Sequence, residues 1–364
     1  MRVVYAGAAP PLRGGIAQHG GNLVTALREV GAEVRIESWA AQYPRWLYPG
    51  ETQVAGAAAL PGTRRRMRWW RPDGWRRVGR LARTADVLIV PWVTTAQAPA
   101  VGTLLRAAAP SHRVIVAHNP LPHERRPFDV PLARWALAPA ELALVHAQAV
   151  VSDLQAVRPG IESVIVPHPP NRSVTRQPVP PRPPLRVLFF GYVRPYKGLD
   201  VLIDAMERLR SLERDVRLTV AGEFWEPAAD WERLVADRGL GPFVDLRPGY
   251  VPDEELDRLL SEHHVVAAPY RSATQSGIIP LAQAAGRIVV ASDVGGIAES
   301  VRDGVDAVLA PPGDPDALAT AICRADELVG LAATAPVTRW IDVAEALLDA
   351  VRMLPRHGPP PVNL

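Results

Sequence analysis

Cysteine is almost absent from this 364-residue chain, in which Cys323 stands alone. One cysteine excludes an internal disulfide framework and suits a reducing compartment. Cys323 falls in the apolar-periodic stretch Ala317–Ala325, which predicts a core position without a catalytic role. No run reaches the ~18 uninterrupted apolar residues that a membrane-crossing helix requires, so no spanning segment is expected. No secretory leader is expected either, because Met1-Arg-Val-Val-Tyr-Ala-Gly7 reads as a short buried strand entering a glycine turn. Lysine is scarce beside arginine and alanine is plentiful, a bias that lowers the functional weight of any single arginine. The net charge is only +3, although the basic residues are unevenly placed. The histidines are too dispersed along the chain for metal-ligand spacing, so no metal is expected. No nucleic-acid-binding module is recognisable, so no nucleic-acid partner is expected.

What is present is alternation. Hydrophobic content is 48% and charged content 22%, values of a globular chain, and the length favours two domains. Apolar runs of four or five residues alternate with longer amphipathic segments. In the first half they predict strands at Val3–Ala6, Glu33–Ser38, Val87–Pro91, Arg113–Ala117, Ala149–Ser152 and Ser163–Val166. Helices are predicted at Ile16–Val30, Ala98–Ala109 and Leu132–Leu144. Gln177–Pro184 then holds five prolines in eight residues and reads as a stiff linker. The alternation restarts at strand Arg186–Phe190 and continues to helices Asp314–Asp326 and Trp340–Arg352. The expected organisation is a first domain over 1–176, a linker over 177–184, a second domain over 185–338, and a terminal helix and tail over 339–364. The last of these returns to the first domain. The predicted class is α/β, with two Rossmann-like, doubly wound parallel sheets whose carboxyl ends face a central cleft, where such sheets take ligands.

Phosphate chemistry is predicted in the second domain. Strand Arg186–Phe190 ends in Gly191-Tyr-Val-Arg-Pro-Tyr-Lys-Gly198, which carries Arg194 and Lys197 to the sheet edge. Arginine can grip a diphosphate with two parallel bonds and lysine adds a point charge, although two solvated loop cations would leave the same trace. In Pro269–Pro280, the small residues Thr274, Gln275, Ser276 and Gly277 precede a helix whose first N–H groups suit an anion. The plainer reading is a helix capped by Ser276 or Thr274. A third glycine turn, Ala291-Ser-Asp-Val-Gly-Gly-Ile-Ala-Glu299, follows another strand.

Together, Phe189–Ala205, Ser276–Gly286, Val290–Gly296 and Asp303–Leu318 resemble the nucleotide-sugar domain of family-4 glycosyltransferases. The resemblance implies the GT-B fold and a retaining transferase that uses a nucleoside-diphosphate sugar as co-substrate. It implies no cofactor and no obligatory metal, since Arg194, Lys197 and helix N-termini stabilise the leaving diphosphate. The chain departs from the family at one place. Two glutamates eight residues apart are usual there, and those positions hold Ala273 and Leu281. Gln275, Thr274 and Glu299 are the candidates to take over the sugar contact.

In the first domain, Gly14-Gly15 opens a helix after the first strand, and by the resemblance this loop lies over the donor diphosphate. His19 lies one turn further on, as an acceptor-side residue or a surface one. Val116-Ala-His-Asn-Pro-Leu-Pro-His-Glu124 follows a buried strand, which puts His118 and Asn119 at its carboxyl edge with His123 and Glu124 beyond. By the resemblance, His118 contacts the donor sugar in a positioning role. His146 and His168 also end strand-like runs. Arg64–Arg80 carries eight arginines and three tryptophans in seventeen residues, with Trp46 and Tyr48 nearby. Cations with interfacial aromatics fit an anionic membrane surface, and a solvated charged face is the alternative.

The expected function is transfer of a sugar to a hydroxyl of a glycan or lipid-linked acceptor, at the cytoplasmic face of the inner membrane. The alternatives are a soluble transferase acting on a small metabolite and an inactive homologue serving as scaffold. A sugar-nucleotide epimerase would need an acidic constellation that the chain does not show.

Overall fold

The computed structural model describes residues 1–42, 54, 58–109, 111–122, 126–330 and 337–355. Trp46, Tyr48, His123 and Glu124 lie outside the described residues. The chain divides into two compact units, Met1–Pro167 with Thr338–Leu364, and His168–Val337.

The first unit is built on a seven-stranded sheet. Its strands are β1 (Arg2–Ala6), β2 (Glu33–Ala41), β3 (Arg64–Arg68), β4 (Val87–Trp92), β5 (His112–Ala117), β6 (Leu142–Val145) and β7 (Glu162–Ile165). They lie in the order β3-β2-β1-β4-β5-β6-β7, and every pair is parallel. The order reverses between β1 and β4, which makes their carboxyl ends the switch point. Helices α2 (Pro72–Ala82), α3 (Ala98–Ala107), α4 (Asp129–Leu137) and α5 (Gln148–Val157) cover one face through Val78, Leu104, Leu137 and Leu154. Helix α1 (Gly15–Glu29) covers the other face. The chain's last helix, α12 (Trp340–Met353), lies beside it. Val343, Leu347, Leu348 and Val351 of α12 join Leu23 and Leu27 in that core. Fully burying such a side chain is worth about 1.5–3 kcal/mol, so the returning helix is a substantial part of this unit.

Two sequence expectations fail in this unit. Leu132–Leu144 is not one helix: α4 stops at Leu137, and Leu142–Val145 is strand β6. Apart from Arg134 and Glu141 the run is apolar and accommodates both periodicities, and Pro139, which cannot continue a helix, stands between the two elements. Ala149–Ser152, expected as a strand, lies inside α5, whose N-cap Ala147 offers no capping side chain to mark the start.

The second unit carries a six-stranded parallel sheet in the order β10-β9-β8-β11-β12-β13. Its strands are β8 (Leu185–Phe190), β9 (Val216–Gly222), β10 (Val244–Pro248), β11 (Val265–Ala268), β12 (Ile288–Ser292) and β13 (Ala307–Ala310). Helices α6 (Leu199–Ser211) and α11 (Pro315–Leu328) bury Leu202, Met206 and Ile322 on one face. Helices α8 (Asp253–Glu262), α9 (Ile278–Ala284) and α10 (Gly295–Glu299) bury Leu259, Ile279 and Ile297 on the other. Helix α7 (Ala228–Asp237) joins β9 to β10. The switch point falls between β8 and β11.

The proline-rich stretch 177–184 belongs with this second unit. Such a strip has no internal hydrogen bonds, so it needs outside donors. The buried Arg287 supplies them to the Gln177 and Pro178 carbonyls at 2.7 Å each, and His264 Nε2 lies 3.0 Å from the Pro180 carbonyl.

Candidate functional site

The two cationic-loop residues and the small-residue loop expected to bind phosphate come from neighbouring strands. The first loop follows β8 and the second follows β11, the pair that brackets the switch point. Glycines make the convergence. Gly198 has φ 71°, and a Cβ there would stand 2.1 Å from the Pro269 carbonyl oxygen, so only glycine lets the first loop touch the second. Gly295, with φ 46°, brings the turn after β12 equally close to the Ala273 carbonyl. Arg271 ties the loops further. Its N–H donates to the Tyr196 carbonyl at 2.7 Å, and its guanidinium grips Asp200 at 2.7 and 2.5 Å.

On this frame Arg194 is half-buried, with its guanidinium 4.2 Å from the centre of the Trp225 ring and 5.7 Å from that of Tyr192. Stacking leaves the edge of the fork open to an anion. Lys197, at the end of a single 3-10 turn over Pro195–Lys197, is buried, with Nζ 5.4 Å from the centre of the Tyr270 ring. Burial holds its pKa below the ordinary value, and the Arg194 charge acts in the same direction. Burial pushes the Tyr270 phenol up to about 12, so this ring is a neutral partner. No described carboxylate pairs with Lys197. A buried ammonium without a counter-ion is costly, and an incoming phosphate would supply one.

Gly277 is the N-cap of α9, and no side chain caps that helix. Gly277 thus holds the N-cap position that the plainer reading gave to Ser276 or Thr274. Ser276 Oγ lies 3.4 Å from the Tyr270 hydroxyl, and Thr274 and Gln275 are half-buried in the same loop. Glu299 is exposed at the far end of α10. Ala273 and Leu281, where the resembled family carries glutamates, are both buried. A cavity of about 510 Å³ in this unit lies elsewhere, beside Arg186, Arg217 and Asp245 near the opposite, amino ends of β8, β9 and β10.

In the first unit, Gly14 (φ 103°) is the N-cap of α1, which starts at Gly15 without a side-chain cap. The Tyr5 hydroxyl donates to the Ala8 carbonyl at 2.9 Å and shapes the loop between β1 and this helix. His118 follows β5 directly, is buried, and donates its backbone N–H to the Trp92 carbonyl at 2.9 Å. Asn119 beside it is half-buried. Thr95, after β4, hydrogen-bonds the buried Asp129, which also accepts the Arg126 N–H at 2.7 Å. The Thr95 bond, before other causes, holds the Asp129 carboxyl below its ordinary range. That pair links the β4 loop to the start of α4 and was not foreseen from sequence, where Thr95 and Asp129 look like ordinary loop residues.

The histidines correct the reading of dispersal. His19 is buried, which removes the surface alternative, and its Nε2 lies 2.7 Å from that of the buried His146. The His118 ring stands edge-to-face on His19, with centroids 4.6 Å apart. Sequence distance concealed this because β5, β6 and α1 bring their carboxyl- or amino-terminal ends to the same edge of one sheet.

The Arg64–Arg80 segment is partly structural. Trp75 is buried and donates Nε1 to the Arg68 carbonyl at 2.9 Å, Arg65 donates to the Trp39 and Ala40 carbonyls, and Arg66 lies 3.7 Å from the buried Glu37. Trp69 and Trp70 remain exposed, at 41% and 50%, with their rings 5.3 Å apart. Arg64, Arg68, Arg76, Arg77 and Arg80 of the same segment are exposed, and the Arg68 guanidinium lies 5.8 Å from the centre of the Trp70 ring. Among the described residues no helix is long and apolar enough to cross a membrane.

Residues 184–326 match the family model described as Glycosyl transferases group 1. The chain is 29% identical over 214 residues to the D-inositol 3-phosphate glycosyltransferase of Acidothermus cellulolyticus, across 55% of this chain and 48% of that one. It is 33% identical over 147 residues to the amylovoran biosynthesis glycosyltransferase AmsK of Erwinia amylovora, across 39% and 36%. The matches thus span about half or less of the length of these curated relatives. Among solved structures, Anabaena Alr3699/HepE in complex with UDP superposes with a TM-score of 0.73 at 17% identity, over 97% of this chain and 100% of that one. The lipopolysaccharide outer core galactosyltransferase WaaB gives 0.72 at 13%, over 97% and 99%. Residues 184–326 are therefore a glycosyl transferases group 1 domain, and the chain has the GT-B fold, with its two parallel-sheet α/β units.

Proposed function

We propose that this protein is a retaining glycosyltransferase that moves a sugar from a nucleoside-diphosphate sugar to a hydroxyl of a glycan or lipid-linked acceptor. One observation carries the reading: the second sheet's switch point holds a stacked arginine and a buried lysine without a described carboxylate partner, beside an uncapped helix start. Arg194 and Lys197 hold the two phosphates and neutralise the charge that grows as the sugar–phosphate bond breaks. The first N–H groups of α9, after Ser276 and Gly277, add donors. With two cations in that place, the reaction calls for no divalent metal.

His118 is assigned a positioning role, donating a hydrogen bond to a sugar hydroxyl. No side-chain nucleophile is invoked. The acceptor hydroxyl attacks from the face that the diphosphate leaves, and its proton passes to the departing phosphate. The relatives support a transferase by their names, and the neighbour crystallised with UDP supports a nucleotide-linked donor. The exposed Trp69–Trp70 pair among arginines favours an acceptor presented at an anionic lipid surface on the cytoplasmic side, with the protein bound peripherally.

The test is a thermal-shift screen with UDP, GDP, ADP and TDP. A ligand present at 100 times its Kd stabilises the folded state by about 2.7 kcal/mol. Stabilisation by one diphosphate, and less by its monophosphate, is expected. Absence of any shift rejects the transferase reading. Turnover with the selected nucleotide sugar should survive EDTA, and loss of activity there would place a metal in the reaction.

A further inference from the structure

The geometry points to a built-in histidine pair behind His118: we propose that His19 and His146 form a hydrogen-bonded couple of fixed tautomers whose task is to hold the His118 ring in register. It rests on the role given to His118 above.

The direction of the couple follows from hydrogen-bond chemistry. His146 Nδ1 lies 2.7 Å from the Val166 carbonyl, and a carbonyl oxygen only accepts. In the neutral ring the proton therefore sits on Nδ1, and His146 Nε2 keeps its lone pair. His19 Nε2 lies 2.7 Å from that lone pair, so the His19 proton must sit on Nε2 and point at His146. The Val166 carbonyl is itself fixed, because the Val166 N–H donates to the Val145 carbonyl at 3.1 Å in the extension of β6 and β7. The chain of bonds thus runs from rigid backbone through His146 to His19.

His19 is then clamped by rings. His118 meets it edge-to-face at 4.6 Å between centroids, and Trp340, the first residue of α12, meets it at 4.7 Å. Each contact is a defined T-shaped geometry, with interplanar angles of 84° and 89°. Rotation of the His19 ring would break the bond to His146 and lose both contacts. A core whose only duty was packing would fill this space with Leu or Phe. Three buried imidazoles in contact carry desolvation costs that apolar residues avoid. The cost is accounted for if the orientation of the outermost ring, His118, has a use. His19 and His146 are positioning residues in this scheme, and neither touches the sugar.

The experiment has a spectroscopic arm and a kinetic arm, both on the full chain. Long-range ¹H–¹⁵N spectra of protein labelled at its 9 histidines report the tautomer of each ring, with assignment by His19→Gln and His146→Gln. His146 is expected to carry its proton on Nδ1 and His19 on Nε2. A spectrum with both protons on Nδ1, as for two rings flanking a cation, overturns the couple, and so does tautomeric averaging of both rings.

Kinetically, His19→Phe keeps the ring stack and removes the bond to His146. It should lower kcat by roughly 10–100-fold, the range seen when the hydrogen-bond partners that orient metal-ligating histidines are removed, and leave the donor KM nearly unchanged. His19→Gln, which restores a donor to His146 but lacks the ring on which His118 rests, should recover only part of the loss. Wild-type kcat in His19→Phe, with its fold intact by circular dichroism, overturns the positioning role. If wild-type protein binds no nucleotide in the thermal screen, the proposed function fails and takes the positioning role with it. The tautomer spectrum then still accepts or rejects the couple on its own.

Discussion

Replacing Lys197 with methionine separates a phosphate-binding cation from a structural one, because the two roles predict opposite changes in stability. Methionine keeps the apolar stem that fills the space beside Tyr270 and removes only the charge. Burial holds the folded-state pKa of Lys197 below its ordinary 10.5. The folded protein therefore resists this charge. That cost is complete at pH values below the folded-state pKa and vanishes above 10.5. Lys197→Met should then raise the melting temperature of the free protein at neutral pH, by about 2–4 °C for each kcal/mol relieved in a unit of this size. The gain should fade as the pH approaches 10.5.

Binding and turnover should move the other way. A charged hydrogen bond to phosphate is worth about 1.5–3 kcal/mol, which is roughly 10–100-fold in diphosphate affinity. Loss of one preorganised donor to the developing charge costs roughly 10²–10³ in kcat. Lys197 is also the only lysine among the 41 basic residues, so ¹³C-lysine labelling yields a single side-chain signal whose titration can be followed directly. Its midpoint should lie below 10.5 in the free protein and rise when a nucleoside diphosphate binds. A variant that is less stable than wild type and binds the nucleotide equally well would refute the reasoning, as would a midpoint that nucleotide leaves in place.

The surface and the interior make further predictions. Flotation with anionic liposomes should recover the protein at low salt. Arg76→Gln with Arg77→Gln should weaken recovery chiefly at low salt, each cation near such a surface being worth about 1 kcal/mol. Trp69→Ala with Trp70→Ala should weaken it at both salt levels, and equal recovery of all variants would make the patch a solvated face. In the second unit, burial first of all holds His263 down to about 4 from its ordinary 6.5. The folded state refuses a proton that the unfolded chain accepts, so stability should fall as pH drops from 6.5 towards 4. Urea unfolding at stepped pH should show up to about 1.4 kcal/mol per pH unit from this residue. His263→Gln should flatten that slope, and an unchanged slope would assign it to other groups.

The legibility of the chain was uneven for identifiable reasons. Strand β8 and helix α8 were read to within a residue, because parallel strands buried on both faces appear as short apolar runs ended by glycine or proline. Strand β3 was not foreseen. Arg64-Arg-Arg-Met-Arg68 has no strand pattern beyond Met67, and it pairs because the long β2 leaves an edge for it to extend. Arg194, Lys197 and Gly277 were legible as site candidates because glycine turns bracket them. Lys197 carried a stronger signal than its spacing: a chain that uses arginine almost everywhere keeps one lysine, and keeps it there.

Sequence by itself determined the class of fold and marked two glycine-framed loops of the second domain as candidates for phosphate. Both follow from local properties: the length of apolar runs, the placement of glycines, and residue types beside them. Only the tertiary structure decided which residues act together. The loops after β8 and β11 are about 80 residues apart in the chain, and strand order makes them neighbours. His19 and His146, separated by 127 positions, share one hydrogen bond because α1 and β6 end at the same edge of one sheet. A pairing of that kind leaves no trace in local pattern, since each partner alone looks like a single histidine in an apolar run.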